Sequence, residues 1–299
     1  MMQLSSIAVL VNIRAGTAAG HPRIVDELGE RFGAAGRDAE IIPLTANQNP
    51  TEVARQAATR SSIIVAAGGD GTVNSVAAAI VDSPVALGVL PLGTLNHFAR
   101  DVHVPNDLDQ SVRVVAAGRI ARLDVGCVND DVFVNNSSIG LYPSIVDLRE
   151  SLRADGHAKW PAMAIATARV IRRYRGVTVS IDVDGRRCHW RTPFVFVGNN
   201  EYEIDGRKLG ERASLDGGRL FAYLSPRLRA YQLPLLLLKS LIGRARQSGD
   251  FTIVPATELW IGVGKRRRVR VAIDGEVRLM HTPLHYRIRP GALRVVVPA

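Results

Sequence analysis

Short apolar runs alternate with helix-type segments over about the first 120 residues of the chain. Residues 7–11, 63–67 and 85–90 are apolar runs of strand length, and residues 73–81 have a composition that suits a helix. An alternation of strands and helices predicts a parallel sheet with helices on both faces. We therefore expect an α/β domain over residues 1–120.

The pattern changes after residue 120, where strand-type alternation of apolar and polar residues dominates. Strand-type segments lie at residues 131–135, 178–183, 192–197 and 219–224, and helical stretches lie at 145–175 and 228–246. Residues 121–299 are predicted to form a mainly antiparallel β domain, with its last strand, residues 292–297, returning to the first domain. A length of 299 residues suffices for two domains. Because interdomain clefts often bind ligands, we expect the active site between them.

A glycine turn joins the apolar run at 63–67 to the following helix. Its glycines, Gly68, Gly69 and Gly71, have no Cβ and permit positive φ, and the helix would direct free N–H groups at an anion. The turn lacks the spacing of the two commonest phosphate loops, and it carries Asp70 where a lysine is typical. An acid there implies a cation or a hydroxyl between it and a phosphate. The alternative is an ordinary turn with Asp70 and Thr72 as helix caps.

A second glycine turn follows the apolar run at 85–90 and contains Gly93, Thr94 and Asn96. In an open parallel sheet, ligands bind outside the carboxyl ends of the strands, so both turns can face one site. Arg100 either steers a phosphate or lies solvated on the helix.

Together, Gly68-Gly-Asp-Gly-Thr and the later Pro91-x-Gly-Thr-x-Asn-x-x-Ala-Arg resemble the diacylglycerol kinase catalytic domain of lipid kinases. The resemblance implies an ATP- and Mg²⁺-dependent enzyme that transfers the γ-phosphate to a lipid hydroxyl. The family's Asn-Pro-x-x-Gly is matched by Asn12 to Gly16, although Ile13 replaces the proline. The residues implied to bind ATP are Asn12, Gly16, Thr45, Gly68, Gly69, Asp70, Gly71, Thr72, Asn74, Gly93, Thr94 and Asn96.

Asp274-Gly275-Glu276 follows a strand-type run at residues 269–273 and matches the family's Asp-Gly-Glu motif. The resemblance implies that these two carboxylates, with Asp70, form the catalytic set. Phosphoryl transfer needs a carboxylate that orients or deprotonates the attacking hydroxyl, and either Asp274 or Glu276 can be that base. A tight turn at Gly275 would separate the two side chains. Without the resemblance, this tripeptide would more often be a hairpin turn.

Residues 213–220 match a family segment in which an aspartate and backbone carbonyls hold a structural Mg²⁺. The resemblance implies metal roles for Asp216 and Asp124. Gly217 stands at the family's second acidic position, and a lost carboxylate weakens or abolishes such a site. The alternative is that both acids lie at strand edges without a metal.

The chain carries a formal net charge of +10 and has a pI near 10.3, which favours anionic partners. Basic residues cluster at 265–268, and residues 233–242 form an apolar stretch with basic ends that is too short to span a bilayer. This stretch is either a helix on an anionic membrane surface or a buried helix. Aromatic residues make up only 5% and provide no stacking platform, which argues against nucleic acid.

Two cysteines, Cys127 and Cys188, provide neither a disulfide framework nor zinc-ligand spacing, and the N terminus has no signal-peptide pattern. We therefore expect a cytoplasmic protein in peripheral contact with the inner face of the membrane. A homodimer is compatible with the sequence. Two other functions stay open: a soluble kinase of the NAD kinase type, and a non-catalytic, membrane-binding regulatory relative.

Overall fold

The structure is a computed structural model that describes residues 6–13, 21–154, 165–171, 174, 176–204, 210–226, 228, 230–232 and 251–299. The chain divides into two compact units. Unit 1 comprises Met1–Val125 with Arg289–Ala299, and unit 2 comprises Gly126–Ile288.

Unit 1 is an α/β fold around a parallel sheet, as the sequence predicts. Its helices are α1 Ile24–Ala34, α2 Pro50–Ala58, α3 Asp70–Ile80, α4 His97–Asp101 and α5 Leu108–Ala117. Its strands are β1 Ile7–Val11, β2 Ala39–Pro43, β3 Ile63–Gly68 and β4 Ala86–Pro91, with parts of β5 Arg119–Val128 and of β16 Leu284–Val297. The order β2-β1-β3-β4-β16 is parallel at each of its pairings.

Helix α1 shows how the sequence fixes this layer. Its buried side chains, Ile24, Leu28 and Phe32, recur every four residues and so form one apolar stripe. The stripe packs with buried residues of β1 and α5, such as Val9 and Val115, in one core cluster. Burial of such side chains on the sheet stabilises a helix that is too short to be stable alone.

Unit 2 is a mainly antiparallel β fold, as predicted. Its elements are β6 Asp131–Phe133, β7 Asn136–Gly140, α6 Leu141–Ala154, β8 Val177–Val183, β9 Arg186–Thr192, β10 Phe194–Asn199, β11 Leu220–Leu224, β12 Thr252–Ala256, β13 Glu258–Val263, β14 Arg268–Ile273 and β15 Glu276–His281. One sheet has the order β12-β11-β10-β7-β14-β15, and β9, β8, β13 and the start of β16 form a second antiparallel layer. Side chains from both layers share one core cluster that includes Ile139, Val195, Val197, Leu259, Ile261 and Tyr286.

Several elements differ in extent from the sequence prediction. The strand expected at 192–197 is broken at Pro193, which has no N–H to donate to a ladder. The helical stretch expected at 145–175 begins earlier, with α6, and residues 165–171 are also helical. The apolar stretch at 233–242 lies outside the described residues. Within the residues that the structure describes, no helix is long and apolar enough to cross a membrane.

Strand β16 belongs to both units. Its first residues pair with β13, from Leu284 opposite Ile261 to Arg287 opposite Glu258. Further along, Arg294 pairs with Ala86 of β4. The strand therefore starts well before the predicted 292–297, and residues from Arg289 onward belong to unit 1.

Candidate active site

The carboxyl ends of the first four strands lie at the same edge of the sheet in unit 1. Val11 is in register with Pro43 and with Ala67, and Gly68 is in register with Pro91. The order β2-β1-β3 means that the chain changes direction across the sheet at β1, and such a switch point is where open α/β sheets bind ligands. The loops that leave this edge contain most of the residues predicted to bind ATP.

The first glycine turn is tighter than predicted, because α3 begins at Asp70 and not near residue 73. Gly68, Gly69 and Gly71 do not have positive φ, so this turn does not use the backbone freedom that they permit. Close packing requires glycine at the first position: a Cβ on Gly68 would lie 2.5 Å from Thr72 Oγ1. Gly71 and Thr72 lie in the first turn of α3, where Thr72 N donates to Gly69 O (2.9 Å) and only the N–H groups before it precede the helical hydrogen bonds.

The second glycine turn packs directly on the first. A Cβ on Gly93 would lie only 2.4 Å from the Cα of Gly69, so the two main chains approach too closely for any side chain there. Asn96 has φ +50° and closes this turn with its side chain. Its Oδ1 accepts from Gly93 N (3.0 Å), and its Nδ2 donates to Gly93 O (3.0 Å) and Pro91 O (3.3 Å). Thr94 is exposed at the tip.

The carboxylate of Asp70 links the two turns. It accepts hydrogen bonds from the backbone N–H of His97 (3.2 Å) and of Phe98 (3.0 Å), at the start of α4, and His97 Nδ1 lies 3.3 Å away. Burial raises the pKa of Asp70, whereas the hydrogen bonds from the His97 side chain and from these N–H groups lower it. Together the hydrogen bonds have the larger effect, so the pKa lies below its ordinary value. The loop geometry thus depends on Asp70 as well as on the glycines.

The other predicted ATP ligands of unit 1 occupy varied positions. Asn12 follows β1, and its Nδ2 donates to Thr72 Oγ1 (3.2 Å), which joins the switch point to α3. Asn74 is buried in α3. Thr45 is exposed, and its N–H and hydroxyl both contact Gln48 Oε1, whereas Asn49 caps α2. Gly16 lies outside the described residues.

Asp274 and Gly275 form the two-residue turn of the β14–β15 hairpin in unit 2. Their φ values are +45° and +91°, and Ile273 pairs with Glu276, as in hairpins whose turn residues both have positive φ. The turn separates the two acidic side chains. Glu276 is exposed, and its Oε2 accepts a hydrogen bond from Nη2 of the Arg278 guanidinium group (3.3 Å).

The Asp274 carboxylate points into unit 2 and accepts three backbone hydrogen bonds. Oδ2 accepts from Val134 N (2.8 Å), and Oδ1 accepts from Asn135 N and Asn136 N (2.9 Å each). Burial raises the pKa of Asp274 to about 6, although these hydrogen bonds and the charge of Arg212 act in the opposite direction. A carboxyl group with a pKa near neutrality can accept and release a proton at working pH.

A cavity of about 500 Å³ lies beside this turn. It is lined by Val146, Arg149, Arg270, Gly275, Glu276, Val277, Arg278 and Leu279. Its wall is therefore partly apolar and partly basic. A second cavity, of about 600 Å³, lies against β8, β9 and β13 and is lined by none of the predicted site residues.

The two acids predicted to bind a structural metal both have protein partners. Asp124 is buried in β5 and accepts a hydrogen bond from Gly291 N (2.9 Å). Asp216 is exposed and accepts from the Ser214 hydroxyl. Their metal role stays a prediction.

Sequence reasoning missed two residues that shape these sites, His97 and Arg212. His97 supplies an N–H to Asp70, and Arg212 contacts the segment that holds Asp274. The asparagine before His97 closes a glycine turn and so indicates a helix start there. Arg212 has no comparable signal, because its partners lie far away in the sequence.

Comparison with known proteins is consistent with this geometry. Residues 6–128 match the model of the diacylglycerol kinase catalytic domain. Residues 147–297, half of the chain, match the YegS C-terminal NAD kinase beta sandwich-like domain. The chain belongs to the diacylglycerol kinase catalytic domain family.

Among curated family members, "Probable lipid kinase YegS" of Salmonella arizonae is 29% identical over 245 residues, which cover 79% of this chain and 78% of that protein. A YegS-like protein of Pectobacterium atrosepticum is 26% identical and covers 97% of this chain and 98% of its own length. A solved diacylglycerol kinase structure from Bacillus anthracis has a TM-score of 0.73 at 19% identity and covers 99% of this chain and 98% of its own. That structure shares the fold.

Gly93→Ala should destabilise the protein by about 3 kcal/mol, since its Cβ would strike the main chain of Gly69. The control is Gly29→Ala in α1, where no atom lies within 4 Å and alanine should add about 1 kcal/mol. The measurement is urea unfolding of both variants. Equal midpoints for the two variants would show that the turns do not pack as described.

Proposed function

We propose that this protein is an ATP-dependent lipid kinase that transfers the γ-phosphate of ATP to a lipid hydroxyl. The observation that carries the proposal is the edge of unit 1, where Asp70 ties two glycine turns together at the switch point of a parallel sheet. Membership of the diacylglycerol kinase catalytic domain family and the names of the curated relatives support a lipid kinase in general.

In this proposal the turns of unit 1 bind ATP. The N–H groups of Asp70 and Gly71 precede the first hydrogen bond of α3, so they can donate to phosphate oxygens, and the helix dipole favours an anion there. Asn12 and Thr72 would contact the nucleotide from the switch point. Asp70 would hold the Mg²⁺ that accompanies ATP, because an ionised carboxylate has about four lone-pair sites, and the two N–H groups of α4 and the His97 side chain use three of them. The cation would neutralise phosphate charge during transfer.

The carboxylates of the Asp-Gly-Glu turn would activate the acceptor hydroxyl. We assign proton acceptance to Asp274, whose pKa of about 6 suits a general base. Glu276 is the alternative, since it is exposed beside the same cavity. The cavity walls suit a lipid, with Val277 and Leu279 for its apolar part and Arg149 and Arg270 for an anionic headgroup.

Peripheral contact with an anionic membrane completes the proposal. The turn between β13 and β14 contains Lys265, Arg266 and Arg267, which are exposed, and Arg268 opens β14 beside them. Four adjacent basic residues without interleaved acids attract anionic lipid. Acceptor lipid would thereby be delivered from the membrane surface.

The first test measures ATP consumption with vesicles that contain diacylglycerol, with NAD as the competing acceptor. Turnover with lipid alone is expected, and Asp70→Asn should retain less than a tenth of kcat, a loss of about 1.4 kcal/mol or more. An asparagine amide would place an N–H against the N–H groups of α4.

The control variant is Asp109→Asn, which removes an exposed carboxylate paired with Arg31 and should keep normal turnover. Turnover with NAD but not lipid would replace the proposal by an NAD kinase activity. Vesicle binding without any turnover would indicate a non-catalytic relative.

The pH dependence of kcat tests the choice of base. As the pH falls through about 6, Asp274 becomes protonated and cannot accept the hydroxyl proton, so kcat should fall about tenfold per pH unit below that value. Glu276→Gln should keep this acid limb, whereas Asp274→Asn should lose about 10²-fold or more in kcat with little change in ATP affinity. Loss of the acid limb in Glu276→Gln would assign the base to Glu276.

Membrane contact is tested by charge reversal of Arg266, Arg267 and Arg268. Since each basic residue near an anionic surface contributes about 1 kcal/mol, replacement of all three by Glu should weaken vesicle binding about 100-fold or more at low salt. Reversal of Arg186, Arg187 and Arg191 on β9 changes the net charge equally and serves as the control. Equal co-sedimentation of both variants with anionic vesicles would show that this turn is not the membrane contact.

A further inference from the structure

The residues of this chain do not fit the structural Mg²⁺ that the family resemblance implies in the second domain. Mg²⁺ requires nearly octahedral coordination by oxygen, usually with carboxylates among the ligands. Gly217 provides no side chain, and a Cβ there would lie 2.8 Å from Asn200 Oδ1. The Asp216 carboxylate is exposed and accepts from Ser214. Across the described residues, no group of three or more His, Cys, Asp or Glu could hold a metal ion.

The guanidinium group of Arg212, a few residues before Asp216 in the sequence, lies among oxygen atoms. Arg212 Nη1 donates to Val134 O (2.6 Å) and Asn199 O (3.3 Å), and its Nη2 donates to Asn135 Oδ1 (3.0 Å). Backbone carbonyls and side-chain amides are oxygen ligands that hard divalent cations take in proteins. The same guanidinium lies 5.7 Å from the centre of the Tyr202 ring, a cation–π contact. Arg212 therefore brings a fixed positive charge to a cluster of oxygen ligands.

The segment that Arg212 holds is the one that binds Asp274. Val134, Asn135 and Asn136 direct their N–H groups to the Asp274 carboxylate, while Val134 O and the Asn135 side chain accept from Arg212. The N–H of Val134 thus meets the negative charge of Asp274, and its carbonyl oxygen meets the positive charge of Arg212. Hydrogen bonds linked in this way strengthen one another. Asn199 adds a hydrogen bond from its Nδ2 to Val134 O (2.9 Å).

We propose that Arg212 is a built-in cation that replaces a structural Mg²⁺ in unit 2 and acts as a positioning residue, fixing residues 134–136 so that their N–H groups orient Asp274. Its effect on turnover rests on the proposed kinase function, whereas its effect on metal dependence and stability does not. On this proposal, unit 2 needs no bound Mg²⁺ to be stable.

The experiment measures the Tm of the full chain without nucleotide, in excess Mg²⁺ and in excess EDTA. The wild type should melt at the same temperature in both. Arg212→Gln should lower Tm by about 4–8 °C in either condition. Arg212→Lys keeps the positive charge but not the planar guanidinium group, so its Tm should lie between those of the wild type and Arg212→Gln. The control is Arg219→Gln, which removes an exposed arginine nearby in the sequence and should leave Tm unchanged.

A wild-type Tm that falls in EDTA as far as Arg212→Gln falls would overturn the proposal, because a metal would then hold the segment. Equal Tm values for Arg212→Gln and Arg219→Gln would overturn it too. If Arg212→Gln does not fold, Arg212→Lys and the wild-type EDTA comparison still decide the matter.

A second readout separates positioning from general destabilisation. At a temperature where all variants are folded, Arg212→Gln should lower kcat about tenfold or more while the KM for ATP stays constant, and Arg212→Lys should restore part of kcat. A rise in KM with unchanged kcat would contradict a positioning role. Absence of kinase activity in the wild type would defeat the proposed function alone, since the melting comparison needs no activity.

Discussion

The hydrogen bonds from the start of α4 to the Asp70 carboxylate hold together the edge of unit 1 from which the candidate site is built. The two turns that they join are rich in glycine, so side-chain packing contributes little to their order and the entropy cost of fixing them is high. Asn96 fixes the second turn internally, and Asp70 fixes it relative to α3. Without this carboxylate, only main-chain contacts would keep Gly93 close to Gly69.

Unit 2 uses the same physical device. Asp274, like Asp70, accepts hydrogen bonds from the N–H groups of a segment that is distant in the sequence. Both acids therefore hold the local structure, apart from any role in catalysis. Replacement of either acid therefore removes an anion and an anchor together. Loss of turnover alone therefore does not identify a base at either position, and pH profiles and matched controls are needed to separate the two roles.

The sequence predicts well whatever depends on local pattern. The bounds of β1 match the apolar run at 7–11, and the two glycine turns lie at one edge because parallel strands place them there. The packing reason for glycine at position 68 could not be predicted, because it depends on where the Thr72 side chain lies in three dimensions. Arg212 was missed because its partners Val134 and Asn135 are 78 and 77 residues away, and no spacing rule joins them.

Strand β16 makes unit 1 discontinuous, and this has a consequence for the order in which the protein can be built. Residues 289–299 emerge from the ribosome only after the whole of unit 2, so β4 waits as an unpaired edge during synthesis. An exposed apolar edge is prone to pair with other chains. A fragment cut at residue 125 would keep that edge permanently, and therefore unit 1 is better studied as a fusion in which residues 289–299 follow a short linker than as an excised N-terminal piece.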